Sequence, residues 1–84
     1  MKHQSHPDIL ARLRRAAGHL NSVISMIEDS RPCLDLAQQL HAVESAVANA
    51  KRLLIHDHME HCLNGPTSDA KAALKELKQL TKYL

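Results

Sequence analysis

Apolar residues recur along this chain at the spacing of a single helical face. Ile9, Leu13, Ala16, Leu20, Val23 and Ile27 alternate steps of four and three residues. That rhythm is the seam of an amphipathic helix and predicts a first helix over about 7–28. Pro7 suits its first turn, where the missing N–H has no helical partner to lose. Gly18 interrupts the seam's flank at a cost of about 1 kcal/mol relative to Ala, and a close helix–helix approach would account for it. Asp29-Ser30-Arg31-Pro32 breaks the pattern. Ser30 is the expected N-cap of the next helix, and Pro32 is tolerated in its first turn.

The same rhythm resumes at Leu36, Leu40, Val43, Val47, Ala50 and Leu54, and no stop signal follows until Asn64-Gly65-Pro66. The second helix is therefore predicted over about 31–63, roughly 48 Å long at 1.5 Å per residue. A third, about 68–83, is capped by Thr67 or Ser68. It turns Ala70, Leu74 and Leu77 inward, with Leu80 and Leu84 continuing the stripe. The polar stretch MKHQSH at 1–6 is expected to form a mobile arm. No internal repeat or low-complexity segment is present. Residues 1–84 thus read as one all-α domain, a three-helix protomer with one long central helix. That central helix is too long to bury its seam against its own neighbours, so another copy of the chain is expected to cover the rest.

Composition adds two points. Two Gly, three Pro, no Trp and no Phe leave a core of Leu, Ile, Val and Ala, which suits helices and gives a chain this short little to bury. No apolar run is long enough to span a membrane, and no secretory signal pattern is seen. The expected location is the reducing cytoplasm, where two cysteines remain thiols available to a metal.

Seven histidines accompany those two cysteines. His58 and Cys62, four apart on the second helix, share one face within reach of one ion. Cys33 is a third candidate ligand, but it lies about 37 Å away along the same predicted helix. Two long helices packed antiparallel resolve the conflict. Cys33 of one chain then meets the His58–Cys62 pair of the other, giving two symmetric sites per dimer. The uncovered seam and the divided ligands call for the same dimer. Two thiolates and an imidazole suit Cu(I), Zn(II), or Ni(II) with a fourth donor. His3 and His6 either fold over that site as nitrogen donors or belong to a solvated tail. His56, His61 and Glu60 read as surface groups or supports of the ligands, and His19 and His41 as packing or hydrogen-bonding groups.

A net charge of +2 does not by itself point to nucleic acid. Arg12, Arg15 and His19 fall on one stripe of the first helix with Arg14 beside it, and Lys51 and Arg52 form a basic pair on the second. Lys71, Lys75, Lys78 and Lys82 mark the third helix. Such clusters serve either as a DNA-contacting face or as a solvated one, and no helix-turn-helix, zinc-finger or ribbon pattern decides between them.

The segments HPDILARLRRAAGHL, RPCLDLAQQLHAVESAV and LLIHDHMEHC resemble the CsoR/RcnR family of metal-sensing transcriptional repressors over nearly the whole chain. The resemblance implies a three-helix protomer, antiparallel dimers paired into a flat tetramer (a dimer of dimers), and operator DNA held in the ligand-free state. Ligand binding then weakens the DNA complex. By position, Cys33, His58 and Cys62 match the family's ligand triad, and Arg14 and Arg15 its basic first-helix segment; Lys51 and Arg52 match more loosely. Pro32 stands where the copper branch often carries Tyr. Gly18-His19, the histidine-bearing arm and Arg31-Pro32-Cys33 look more like the nickel-responsive members. The resemblance therefore implies a Ni(II)- or Co(II)-responsive repressor, with Cu(I) as the alternative. A metal buffer or chaperone without DNA binding is the reading from another class, which a salt-dependent mobility shift on promoter DNA would separate. No nucleophile–base pair or phosphate loop suggests an enzyme.

Overall fold

The structure, a computed structural model, describes residues 6–64 and 70–84, with the backbone alone at 62–64. Helix α1 is His6–Glu28, α2 is Cys33–Asn64, and α3 is Ala70–Leu80, which tightens into a 3-10 turn at Thr81–Tyr83. The protomer is all-α, with α2 as its long central rod. His6 is the first residue of α1 rather than the end of an arm. His3, the caps expected at Thr67 or Ser68, and Gly65-Pro66 lie outside the described residues.

The α1–α2 corner differs from the sequence expectation at one residue. Ser30 does not cap α2; it ends α1. Its φ of 56° is left-handed, and its N–H reaches Ile27 O at 3.0 Å while the Arg31 N–H reaches Met26 O at 3.1 Å. This paired closure satisfies the last carbonyls of α1 and favours glycine at the left-handed position. Pro32 then takes the cap position of α2: its carbonyl accepts the Leu36 N–H at 3.1 Å, leaving Cys33 as the first helical residue.

Helices α1 and α2 lie side by side in a layer one helix thick, and α3 folds against the C-terminal part of α2. The principal extents are 56 × 23 × 13 Å. Each predicted seam divides lengthwise. Ile9, Ala16 and Val23 of α1 are buried, as are Val43 and Ala50 of α2; Ile55, off the predicted seam, is buried on the side of α3. The alternate seam residues are not: exposure runs from 41% at Leu13 and 42% at Leu20 to 54% at Ile27, and Leu40, Val47 and Leu54 are similar. Two rods side by side bury only the line of each seam that faces the other. In an antiparallel pair the second lines emerge on the same face, where Leu10 and Ile24 widen the patch.

The radius of gyration is 17.2 Å, against about 12 Å for a compact chain of this length. The accessible surface is 6589 Å², against about 5,000 Å² for a compact globule of this size. That excess is about twice the area one partner buries in a standard interface.

Helix α3 is rotated from its expected setting. Ala73, Leu77 and Leu80 are half-buried, whereas Ala70, Leu74 and Leu84 are exposed. The line 73–77–80 meets α2 near Ile55, and Leu74, about 100° off that line, turns outward. The glycine expectation also changes: a Cβ built on Gly18 meets nothing within 4 Å, so no close approach inside the protomer requires glycine there.

Candidate metal centre and basic groove

Cys33 is exposed at the first turn of α2. His58 lies seven turns further on and Cys62 one turn beyond it, so the first thiol stands about 37 Å from the imidazole along one unbroken helix. Among the described residues no three His, Cys, Asp or Glu side chains gather in a way that could hold an ion. A single protomer thus separates the donors that the sequence assigns to one centre. Their angular placement is nevertheless shared. Steps of seven, seven, eleven and four residues link Cys33, Leu40, Val47, His58 and Cys62, and each nearly returns to the same bearing at 100° per residue. The donor positions therefore share a line with the outward-facing apolar residues Leu40 and Val47, which are 43% and 45% exposed.

His58 faces α3. Its Nε2 stands 2.9 Å from Glu76 Oε1, and its side chain is 21% exposed. Sequence reasoning missed Glu76. The available signal was that it is the sole acid in Ala70–Leu80, a helix with three lysines. His6 is half-buried at the start of α1 and borders one cavity with His58, Glu76, Leu54, Ile55 and Leu80. His56 pairs with Glu60 at 3.1 Å on an exposed surface, and His61 and His41 are exposed. His19 Nε2 lies 2.6 Å from Gln39 Oε1, joining α1 to α2 as a hydrogen-bonding residue.

The basic residues divide between faces. Arg12, Arg15 and His19 line a groove with Ala16, Ala46 and Asn49, on the side of the layer opposite the apolar patch. Arg52 Nη1 donates to Asn49 Oδ1, which brings its guanidinium to the same edge. Arg12 is tied to Asp8 at 3.0 Å. Arg14 and Lys51 are exposed and do not line the groove: Arg14 follows α1 about 100° away from Arg15. Asn49 was not anticipated, since nothing in its sequence context distinguishes it from other polar helix positions.

The family model described as a metal-sensitive transcriptional repressor matches residues 5–83. The chain belongs to this family of repressors. Among its relatives are the copper-sensing transcriptional repressor CsoR of Mycobacterium ulcerans, 38% identical over 76 residues, which cover 88% of this chain and 65% of the relative. CsoR of Bacillus subtilis is 33% identical, covering 88% of this chain and 75% of that protein. The chain thus spans a little under two thirds of the mycobacterial relative. The solved structure of the nickel-responsive transcriptional regulator InrS superposes with a TM-score of 0.83 at 30% identity, covering all of this chain and 98% of that one. Two thiols and an imidazole, the donor set expected from the sequence, would suit soft to borderline transition metals. No described helix is long and apolar enough to cross a membrane.

Proposed function

We propose that this repressor works as an antiparallel dimer, paired further into a flat tetramer, that holds operator DNA without metal and releases it when Ni(II) or Co(II) binds. The ligands are Cys33 of one protomer with His58 and Cys62 of the partner subunit. The observation that carries this reading is the single line on α2 that bears both the separated donors and the uncovered residues Leu40 and Val47. An antiparallel α2 pair crossing at Val47 sets Leu40 beside the partner's Leu54. The same register brings Cys33 level with the stretch between His58 and Cys62 of the partner subunit. Burial of the apolar line and completion of the donor set then follow from one arrangement. Its setting is the reducing cytoplasm, where Cys33 and Cys62 stay as thiols.

When bound, the metal supplies a link between the two ends of neighbouring helices. The protein's own residues do the rest. Glu76 lies 2.9 Å from Nε2 of His58, an arrangement in which Nδ1 would be the ring nitrogen that holds the metal. His6, beside the same cavity, and His3 are the candidate further nitrogen donors. The groove of Arg12, Arg15, His19, Asn49 and Arg52 contacts backbone phosphates, with Arg14 and Lys51 on neighbouring surfaces. Linking the ends of α2 to the partner shifts these grooves relative to one another. A bias of a few kcal/mol toward the non-binding arrangement is sufficient to empty the operator.

Cys33→Ala is expected to abolish the metal response while leaving DNA affinity within threefold of the parent in a mobility shift. Arg14 and Arg15 replaced together by Ala should weaken DNA binding and preserve metal affinity. The converse pattern would overturn the assignment of roles.

Cu(I) is the second reading, favoured by the identity to copper-sensing relatives. Anaerobic titration with Ni(II), Co(II) and Cu(I), followed by absorption and DNA release, separates the two. A planar thiolate–Ni(II) spectrum coupled to release supports the first; tight Cu(I) binding with release, and none with nickel, establishes the second.

A further inference from the structure

The lysines of α3 belong to neither the metal centre nor the groove. Lys71, Lys75 and Lys78 follow steps of four and three residues, which keeps them on one line of the helix, and Lys82 extends the row in the 3-10 turn that follows. That line lies on the side of α3 opposite Ala73, Leu77 and Leu80, the residues packed toward α2. All four lysines are exposed, and among the described residues none forms an ion pair. The sole acid of Ala70–Leu80, Glu76, is turned to His58. Leu74 lies beside the row and, with Ala72, forms the floor of a shallow groove lined by Lys71, Lys75 and Lys78.

Four unneutralised cations in line fit a regularly spaced polyanion. The row is about 17 Å long, the axial rise of about five base pairs, and its flexible stems can reach about two or three successive phosphates of one strand. An acidic protein patch would have to reproduce that spacing by chance. We propose that the lysine row of α3 is a second DNA-contacting surface, gripping phosphates that flank the sequence held at the α1–α2 groove. The contacts are sequence-independent, because ammonium groups on long flexible stems pair with phosphates as point charges. Each protomer adds one row, so the rows lengthen the duplex that the assembly holds. This inference rests on the DNA-binding reading above.

The test replaces the four lysines together by Gln in the full chain and measures DNA affinity against salt, on a long duplex and on one trimmed to the core operator. The expected result is at least a tenfold loss on the long duplex at 0.15 M salt. The slope of log affinity against log salt should fall by about two or more. The loss should be much smaller on the trimmed duplex, with the thermal midpoint and metal affinity retained. The fourfold Lys→Arg variant should restore binding. Unchanged affinity and slope on the long duplex overturn the proposal. So does a variant that keeps its DNA affinity but no longer pellets with phosphatidylglycerol vesicles, which would assign the row to a membrane surface. If the parent chain binds no DNA at any salt, the repressor reading itself fails and the proposal falls with it.

Discussion

At the scale of individual residues, the proposed metal site needs support as well as ligation. Glu76 contributes no donor of the predicted triad, yet its Oε1 stands 2.9 Å from Nε2 of His58. Supporting contacts of this kind are worth roughly 10–100-fold in metal affinity. Glu76→Ala is expected to weaken binding within that range in a competition titration, and an unchanged affinity would remove Glu76 from the site. The proposed triad is read from the sequence, where His58 and Cys62 sit one turn apart and Cys33 opens the same helix. Glu76 was not legible, because its role depends on how far α3 is rotated, and its lysine-rich neighbours make it resemble an ordinary surface charge. Ser30 was misread for a related reason: a serine between two helices can serve either end, and only the left-handed φ shows which. Ser30→Gly should stabilise the protein by about 0.5 kcal/mol in denaturant unfolding, since glycine adopts this conformation without the Cβ penalty. A loss of stability would mean that the Ser30 side chain makes a contact in the assembly.

For the helices, periodicity set the number, order and approximate length, but not which residues would be buried. Alternation of four and three marks a whole seam, whereas a two-rod layer uses only half of it. Val23, 1% exposed, is on the buried half. Val23→Ala should lower stability by about 1–2.5 kcal/mol, readable as a shift in the denaturant midpoint. Leu20, nearly half exposed, is on the other half. Leu20→Asp should leave the α1–α2 pair helical by circular dichroism and reduce the assembly's mass in sedimentation. If it unfolds the isolated protomer instead, the division of the seam is wrong. The α3 stripe was expected along Ala70 and Leu74 because its alanines and leucines fit two adjacent lines, and packing of Leu80 beside Ile55 selects the line of Ala73, Leu77 and Leu80. Gly18 is the remaining discrepancy. Nothing in the protomer meets a Cβ there, so Gly18→Ala should raise helix stability by roughly 1 kcal/mol. A fall would place another subunit against that position.

The whole molecule is a flat, elongated layer with two unlike faces. One carries Leu10, Leu13, Leu20, Ile24, Ile27, Leu40 and Val47; the other carries the groove of Arg12, Arg15 and His19. A chain that exposes this much apolar surface is expected to gain stability by association, and in the proposed dimer the donor positions on the same line of α2 make association and metal binding parts of one geometry. The direct measurement is complementation between two inactive variants, Cys33→Ala and the double variant His58→Ala/Cys62→Ala, unfolded together and refolded as a mixture. Each alone should lack tight metal binding. Random pairing makes half of the dimers mixed, and each mixed dimer carries one intact site, so about a quarter of the parent's tight-site capacity should return. A mixture that stays as inactive as its components, with mixed dimers present by native mass spectrometry, would contradict a centre shared between subunits.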